Sequence, residues 1–177
     1  GPLYFYLLML AELLMGRGLL TLRLVAVLFS AGIVAVVLLH SRWFGRAAIW
    51  AALVLAISPA MVFYGRYAIH ESLFIFCQAV FLYGYIRWHL EGGRAAVVCM
   101  TIGVAGSIAT KETFFIFLGT WFIAVALVHL LQRFLPERNA AVPLQREPVP
   151  RRFVLITVAV SVLATLLLFS GFLANPA

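Results

Sequence analysis

Two short stretches hold most of the residues able to do chemistry. One is Tyr64-Gly65-Arg66-Tyr67-Ala68-Ile69-His70-Glu71, the other Thr110-Lys111-Glu112. Arginine, lysine, histidine and glutamate crowded into tight connections between apolar runs suit an anionic ligand with an acidic partner beside it, because charge-assisted hydrogen bonds are the strong ones. Plainer uses exist for the same residues. Arg66 can snorkel to lipid headgroups and Glu71 can sit at the positive end of the helix that follows. Lys111 and Glu112 can serve as interfacial anchors, and as helix neighbours about 100° apart they are expected to have different partners. Arg23 lies within the apolar run Leu22-Arg23-Leu24-Val25. A cation there is costly, so it marks a site or an interior partner unless it snorkels outward.

Other reactive residue types offer less. His40, His89 and His129 fall at helix ends on the opposite side and show no metal-ligand spacing. Cys77 and Cys99 are the only cysteines. They are expected near opposite surfaces, as small apolar side chains that form neither a disulfide nor a metal site. There is no phosphate-binding glycine loop and no nucleophile elbow. The six acidic residues are all glutamates.

The elements that must position these residues are membrane helices. Of 177 residues, 65% are hydrophobic and 11% charged, with a mean hydropathy of +1.09. Soluble domains are roughly half apolar, so the bilayer must be the solvent. The net charge of +7 reflects loop cations and lipid contact, not nucleic acid. Apolar runs predict an all-α, polytopic membrane bundle with about six spans, near 20–40, 47–64, 72–87, 95–110, 113–131 and 153–172. Leu3–Met15 is too short to span and reads as an N-terminal interfacial helix.

The expected layout is an extracytoplasmic surface helix over 1–18, a five-span core over 19–132, a basic cytoplasmic linker over 133–152, and a sixth span with its outer end over 153–177. Ser58-Pro59 should kink the second span, and Gly103 with Ser107 should allow close helix approach. With alternating spans, nine of the thirteen cations share one face, while Arg17, Arg23, Arg66 and Lys111 share the other. The positive-inside rule makes the nine-cation face cytoplasmic and both chain ends extracytoplasmic.

Several segments, in this order, resemble the GT-C glycosyltransferases, including protein O-mannosyltransferase and aminoarabinose-transferase relatives. They are Gly1-Pro2-Leu3-Tyr4-Phe5-Tyr6-Leu7, Leu22-Arg23-Leu24, Ile57-Ser58-Pro59, Tyr64-x-Arg66-x-x-x-x-Glu71 and Ala109-Thr110-Lys111-Glu112. Leu168-Phe169-Ser170-Gly171-Phe172 with Asn175 looks closest to a prokaryotic subgroup associated with flippase activity. The resemblance covers nearly the whole chain.

It implies a cell-envelope enzyme of the inner membrane that moves a sugar from a polyprenyl-phosphate carrier to an acceptor at the extracytoplasmic face. Arg23, Arg66 and Lys111 would hold the phosphate, and Glu71 would orient a cation or the acceptor. Tyr64, His70 and Glu112 would complete the substrate-binding set. The family's catalytic acid precedes the Pro-Leu segment, so the resemblance implies an internal fragment, inactive alone, with no catalytic residue within 1–177. A divalent-cation requirement, the sugar and the acceptor stay open. Two rival readings are a secondary transporter or lipid-linked-sugar flippase component, which would line a path near the midplane with charges, and a non-catalytic membrane scaffold.

Overall fold

In the computed structural model, residues 1–134 and 147–170 are described. The helices are α1 Pro2–Met15, α2 Leu19–Leu39, α3 Ser41–Phe44, α4 Arg46–Ile57, α5 Pro59–Arg66, α6 Glu71–Leu90, α7 Arg94–Thr110, α8 Phe114–Phe134 and α9 Arg151–Phe169. Among the described residues there is no strand, only one isolated bridge between Gly92 and Glu147. The protein is an all-α helical bundle. The side chain of Arg133, most of the expected linker and the segment 171–177 lie outside the described residues.

Four stretches are long and apolar enough to cross a membrane: Leu19–Phe44, Glu71–Leu90, Phe114–Leu131 and Arg151–Phe169. The pair α4 and α5 makes a fifth, bent by 56°. The bend falls where Pro59 follows Ser58, whose ψ of 130° is extended. Proline drives the preceding residue out of the helical region and lacks the N–H that would continue the ladder. The remaining run, the fourth in order, forms α7, whose 17 residues give it a length of about 25 Å.

Two bounds differ from the expected ones. The first span runs on through α3, because His40 keeps a helical backbone (φ −69°, ψ −12°) between α2 and α3. The last begins at Arg151, because the extended Pro150 supplies the start signal (ψ 133°). Arg151 and Arg152 therefore belong to α9 and not to the linker.

In a bilayer, lipid tails are as apolar as leucine, so helices associate through close packing of small residues. The α6–α7 pair is built this way. A Cβ at Gly84 would lie 2.7 Å from the Met100 amide nitrogen, and one at Gly103 would lie 2.6 Å from that of Phe81. A Cβ at Gly106 would meet Cys77 Sγ at 2.6 Å. Ser107 and Thr110, nearly inaccessible on the same stripe, return their hydroxyls to the Gly103 and Gly106 carbonyls at 2.7 and 2.6 Å. Trp121 of α8 packs edge-on against Phe81 and Tyr85 of α6. The window that qualifies α9 as a span has none of its residues buried and that of α8 has 6%, so both helices present their apolar surface outward to lipid.

One end of the bundle is tied by Glu91. Its carboxylate accepts from Arg42 Nη2 at 2.7 Å and from Trp43 Nε1 at 2.8 Å, with Arg87 Nε at 3.4 Å. Glu147 joins this end through its backbone, donating to the Glu91 carbonyl at 2.9 Å and accepting from the Gly93 amide at 3.2 Å. Gly92 and Gly93 have φ of 74° and 86°, a conformation glycine adopts without strain. His40 and His129 bond the carbonyls one turn back in their own helices.

The opposite end is crossed by α1. A Cβ at Gly1 would collide with the Ala109 carbonyl at the end of α7, while Thr21 Oγ1 of α2 donates to the Gly16 carbonyl at 2.9 Å. Both ends of α1 thus lie at one end of the bundle. Leu3, Tyr4, Leu7, Leu8 and Ala11 form its packed stripe, set on Val25, Phe29, Leu73 and Cys77. Phe5, Leu13 and Leu14 point away.

Candidate functional site

At the end crossed by α1, the start of α6 meets the finish of α7. Glu71 is the first residue of α6 and Lys111 the residue that leaves α7. The two helices are antiparallel here, so the glutamate sits at a positive helix terminus and the lysine at a negative one, each complementing its own macrodipole. Lys111 Nζ donates to Glu71 Oε1 at 2.6 Å, with both side chains about 70% buried. The other carboxylate oxygen, Oε2, lies 3.7 Å from His70 Nε2. Two motifs forty residues apart are thereby joined.

Tyr4 of α1 closes this group from the side. It is 3% exposed, and its ring meets that of His70 edge-on at 6.4 Å. Its hydroxyl is buried and finds no hydrogen-bond partner among the described residues. Leaving a buried hydroxyl unpaired costs about 1–3 kcal/mol. Burial, and secondarily the charge of Glu71, push the phenol above its ordinary pKa.

Arg66 ends α5 and is exposed, as is Arg23 in the second turn of α2. Neither has a carboxylate partner among the described residues. The segment holding Arg66 is fixed by a chain of bonds across three helices. Ser30 Oγ of α2 donates to Ser72 Oγ of α6 at 3.1 Å, and Ser72 Oγ donates to the Tyr64 carbonyl of α5 at 3.2 Å. A Cβ at Gly65 would lie 3.1 Å from Ser30 Oγ, so α5 approaches α2 closely just before Arg66. Between α2 and the bent α4–α5 pair runs a groove of about 390 Å³, mostly apolar, with Val27, Val34, Met61 and Val62 in its walls and Arg66 at its rim. Arg23 stands one turn from Val27 on the same stripe of α2, since residues four apart share a helix face.

The structure therefore gathers His70, Glu71 and Lys111 into one cluster. It leaves Arg23 and Arg66 on the groove side and leaves Glu112 exposed without an ion pair among the described residues. Lys111 and Glu112 do have different surroundings. The position of Tyr4 was not legible as a site in the sequence, where it is one aromatic in a Tyr- and Leu-rich helix; its place next to Pro2-Leu3 was the available signal. Glu91 was missed too, although it is the one acid beside the Gly92-Gly93 turn. Among the described residues no three His, Cys, Asp or Glu side chains gather as a metal-binding group.

Comparison with curated proteins and with solved structures gives no match. The family model described as dolichyl-phosphate-mannose-protein mannosyltransferase matches residues 7–175, nearly the whole length over which the motifs run in order, and the chain belongs to that family of GT-C membrane glycosyltransferases.

Proposed function

We propose that this protein serves sugar transfer from a polyprenyl-phosphate donor at the extracytoplasmic face, with the donor phosphate held at the end of the bundle crossed by α1. The observation that carries this reading is the meeting there of Glu71, Lys111 and His70, with Arg66 at the rim of an apolar groove and Arg23 one turn from Val27 of its wall. A phosphate leaving group gathers negative charge as the glycosidic bond breaks, and fixed cations in a partly desolvated cleft stabilise it better than water does. Arg66 and Arg23 supply the free donors, and the α2–α5 groove accepts the first isoprene units. Tyr64, through its carbonyl, fixes the turn that aims Arg66. Glu71, held by Lys111, orients the acceptor and does not abstract the proton, and Glu112 lies on the rim where acceptor enters. The four-cation face is extracytoplasmic because the nine-cation face is retained inside.

Donor-dependent turnover by the full-length protein in reconstituted membranes tests this. Losing one charge-assisted bond at Arg66→Ala should lower turnover about ten- to a hundredfold. Arg66→Lys should fall between the two, because lysine keeps the charge and loses the bidentate fork. Arg46→Ala, exposed at the other end of the bundle, is the control. Normal turnover in both Arg66→Ala and Arg23→Ala, with proper insertion, would remove the phosphate assignment. Movement of lipid-linked sugar across the bilayer without glycosylated product would favour the flippase reading.

A further inference from the structure

We infer that the Tyr4 hydroxyl is a reserve donor for Glu71, which lets a bound phosphate draw Lys111 away without leaving the carboxylate unpaired. The inference rests on the phosphate reading above and goes beyond it in assigning an exchange of partners and a positioning role to Tyr4.

Three observations carry it. Tyr4 is 3% exposed and its hydroxyl, shut off from solvent, has no acceptor among the described residues. Its ring is set edge-on against His70, whose neighbour Glu71 holds Lys111 at 2.6 Å through Oε1 alone. The second carboxylate oxygen lies 3.7 Å from His70 Nε2, too far for a hydrogen bond. One group is thus a buried donor without an acceptor and the other an acceptor with capacity to spare. The Glu71 charge is felt at the phenol, which it helps to hold protonated and able to donate.

The exchange balances without moving a proton. Lysine has three donor hydrogens on a flexible stem and turns toward an incoming phosphate. Glu71 then accepts from Tyr4, and the helix terminus continues to stabilise its charge. Every polar group that was satisfied stays satisfied, and the one that was not acquires a partner. Ligand binding is favoured by that difference between the two arrangements, since a ligand shifts an equilibrium only by its differential interaction with the two states.

The test uses the full-length protein in bilayer discs of uncharged phosphatidylcholine, titrated with a polyprenyl monophosphate and, separately, with inorganic phosphate. Tyr4→Phe should weaken binding of whichever probe the wild type binds by about three- to tenfold. In the absence of ligand the same substitution should leave the melting temperature unchanged or raise it, because it deletes an unpaired hydroxyl. A purely structural tyrosine gives the reverse pattern. In a Lys111→Ala background Glu71 already takes the Tyr4 hydroxyl, so there Tyr4→Phe should lower the melting temperature. Unchanged affinity in Tyr4→Phe, or the same sign of melting shift in both backgrounds, overturns the exchange. If the wild type binds neither probe, the phosphate reading falls, and the two melting shifts decide the partner exchange by themselves. Tighter binding of the polyprenyl form than of inorganic phosphate identifies the lipid headgroup as the source of the anion.

Discussion

At the scale of single residues, the ion pair and the phenol beside it make separate predictions. Lys111 and Glu71 are mostly buried and sit at helix termini of opposite sign, so removing either strips the other, partly desolvated, of its opposite charge. Lys111→Ala and Glu71→Ala should each cost about 1–2 kcal/mol, less than a fully buried pair and more than a surface one. A double-mutant cycle on detergent unfolding should show that the two losses do not add. Tyr4 carries a pH signature of its own. Its folded-state pKa is raised by burial first and by Glu71 second. Its contribution is therefore intact below the ordinary tyrosine pKa of about 10 and is lost as pH climbs from there through the higher folded-state value. Melting curves between about pH 8 and 11 should show an alkaline loss of stability that is smaller in Tyr4→Phe. The sequence made Glu71 and Lys111 visible because charges stand out against apolar neighbours. It concealed Tyr4, because which tyrosine of an apolar helix faces inward depends on where α1 is laid down, and that is decided by helices far along the chain.

At the scale of elements, glycine sorts the helix pairs. Gly103 of α7 has no room for a side chain, since the atoms that a Cβ would meet include the Phe81 amide nitrogen and the Cys77 carbonyl, which cannot step aside. Gly103→Ala should destabilise by about 1–3 kcal/mol. Gly119 of α8 has nothing within 4 Å of a Cβ, so Gly119→Ala should be neutral or stabilise by about 0.5–1 kcal/mol through helix propensity. Thermal unfolding of the two variants side by side checks the contrast. The spacing of Gly103 and Ser107 had signalled close approach, and the partner helix is α6. Pro59 was legible as an interruption, because proline acts locally. The size of its bend was not, because 56° is set by how α5 docks on α2 through Gly65, Ser30 and Ser72.

For the whole molecule, the expectation of an all-α membrane bundle came from apolar run lengths, which the bilayer thickness converts directly into helices. Run length also placed α7, although its 17 residues sit at the short limit for a span. Orientation is the prediction at this scale. Arg46 and Arg94 lie at the Glu91 end and Arg17 and Glu112 at the Lys111 end. Single cysteines at the first two positions should react with an impermeant maleimide only after cells are opened, and cysteines at the last two from outside. Labelling in the opposite sense would reverse the proposed face of the site.

The backbone bridge from Glu147 to Glu91 and Gly93 has a consequence for how the polypeptide can be divided. It pins the approach to α9 against the α6–α7 turn, and α9 then runs alongside α7, with Val158 and Val162 facing Val104 and Ile108 across a gap of about 400 Å³. These contacts give α9 an attachment to the bundle in addition to the covalent chain. A gene broken between Phe134 and Glu147, its two halves produced from separate messages, should yield two polypeptides that find each other in the membrane and purify together. Weakening the clasp with Gly93→Ala, which forces a side chain onto a φ of 86° and against Glu147, should reduce their recovery as a pair.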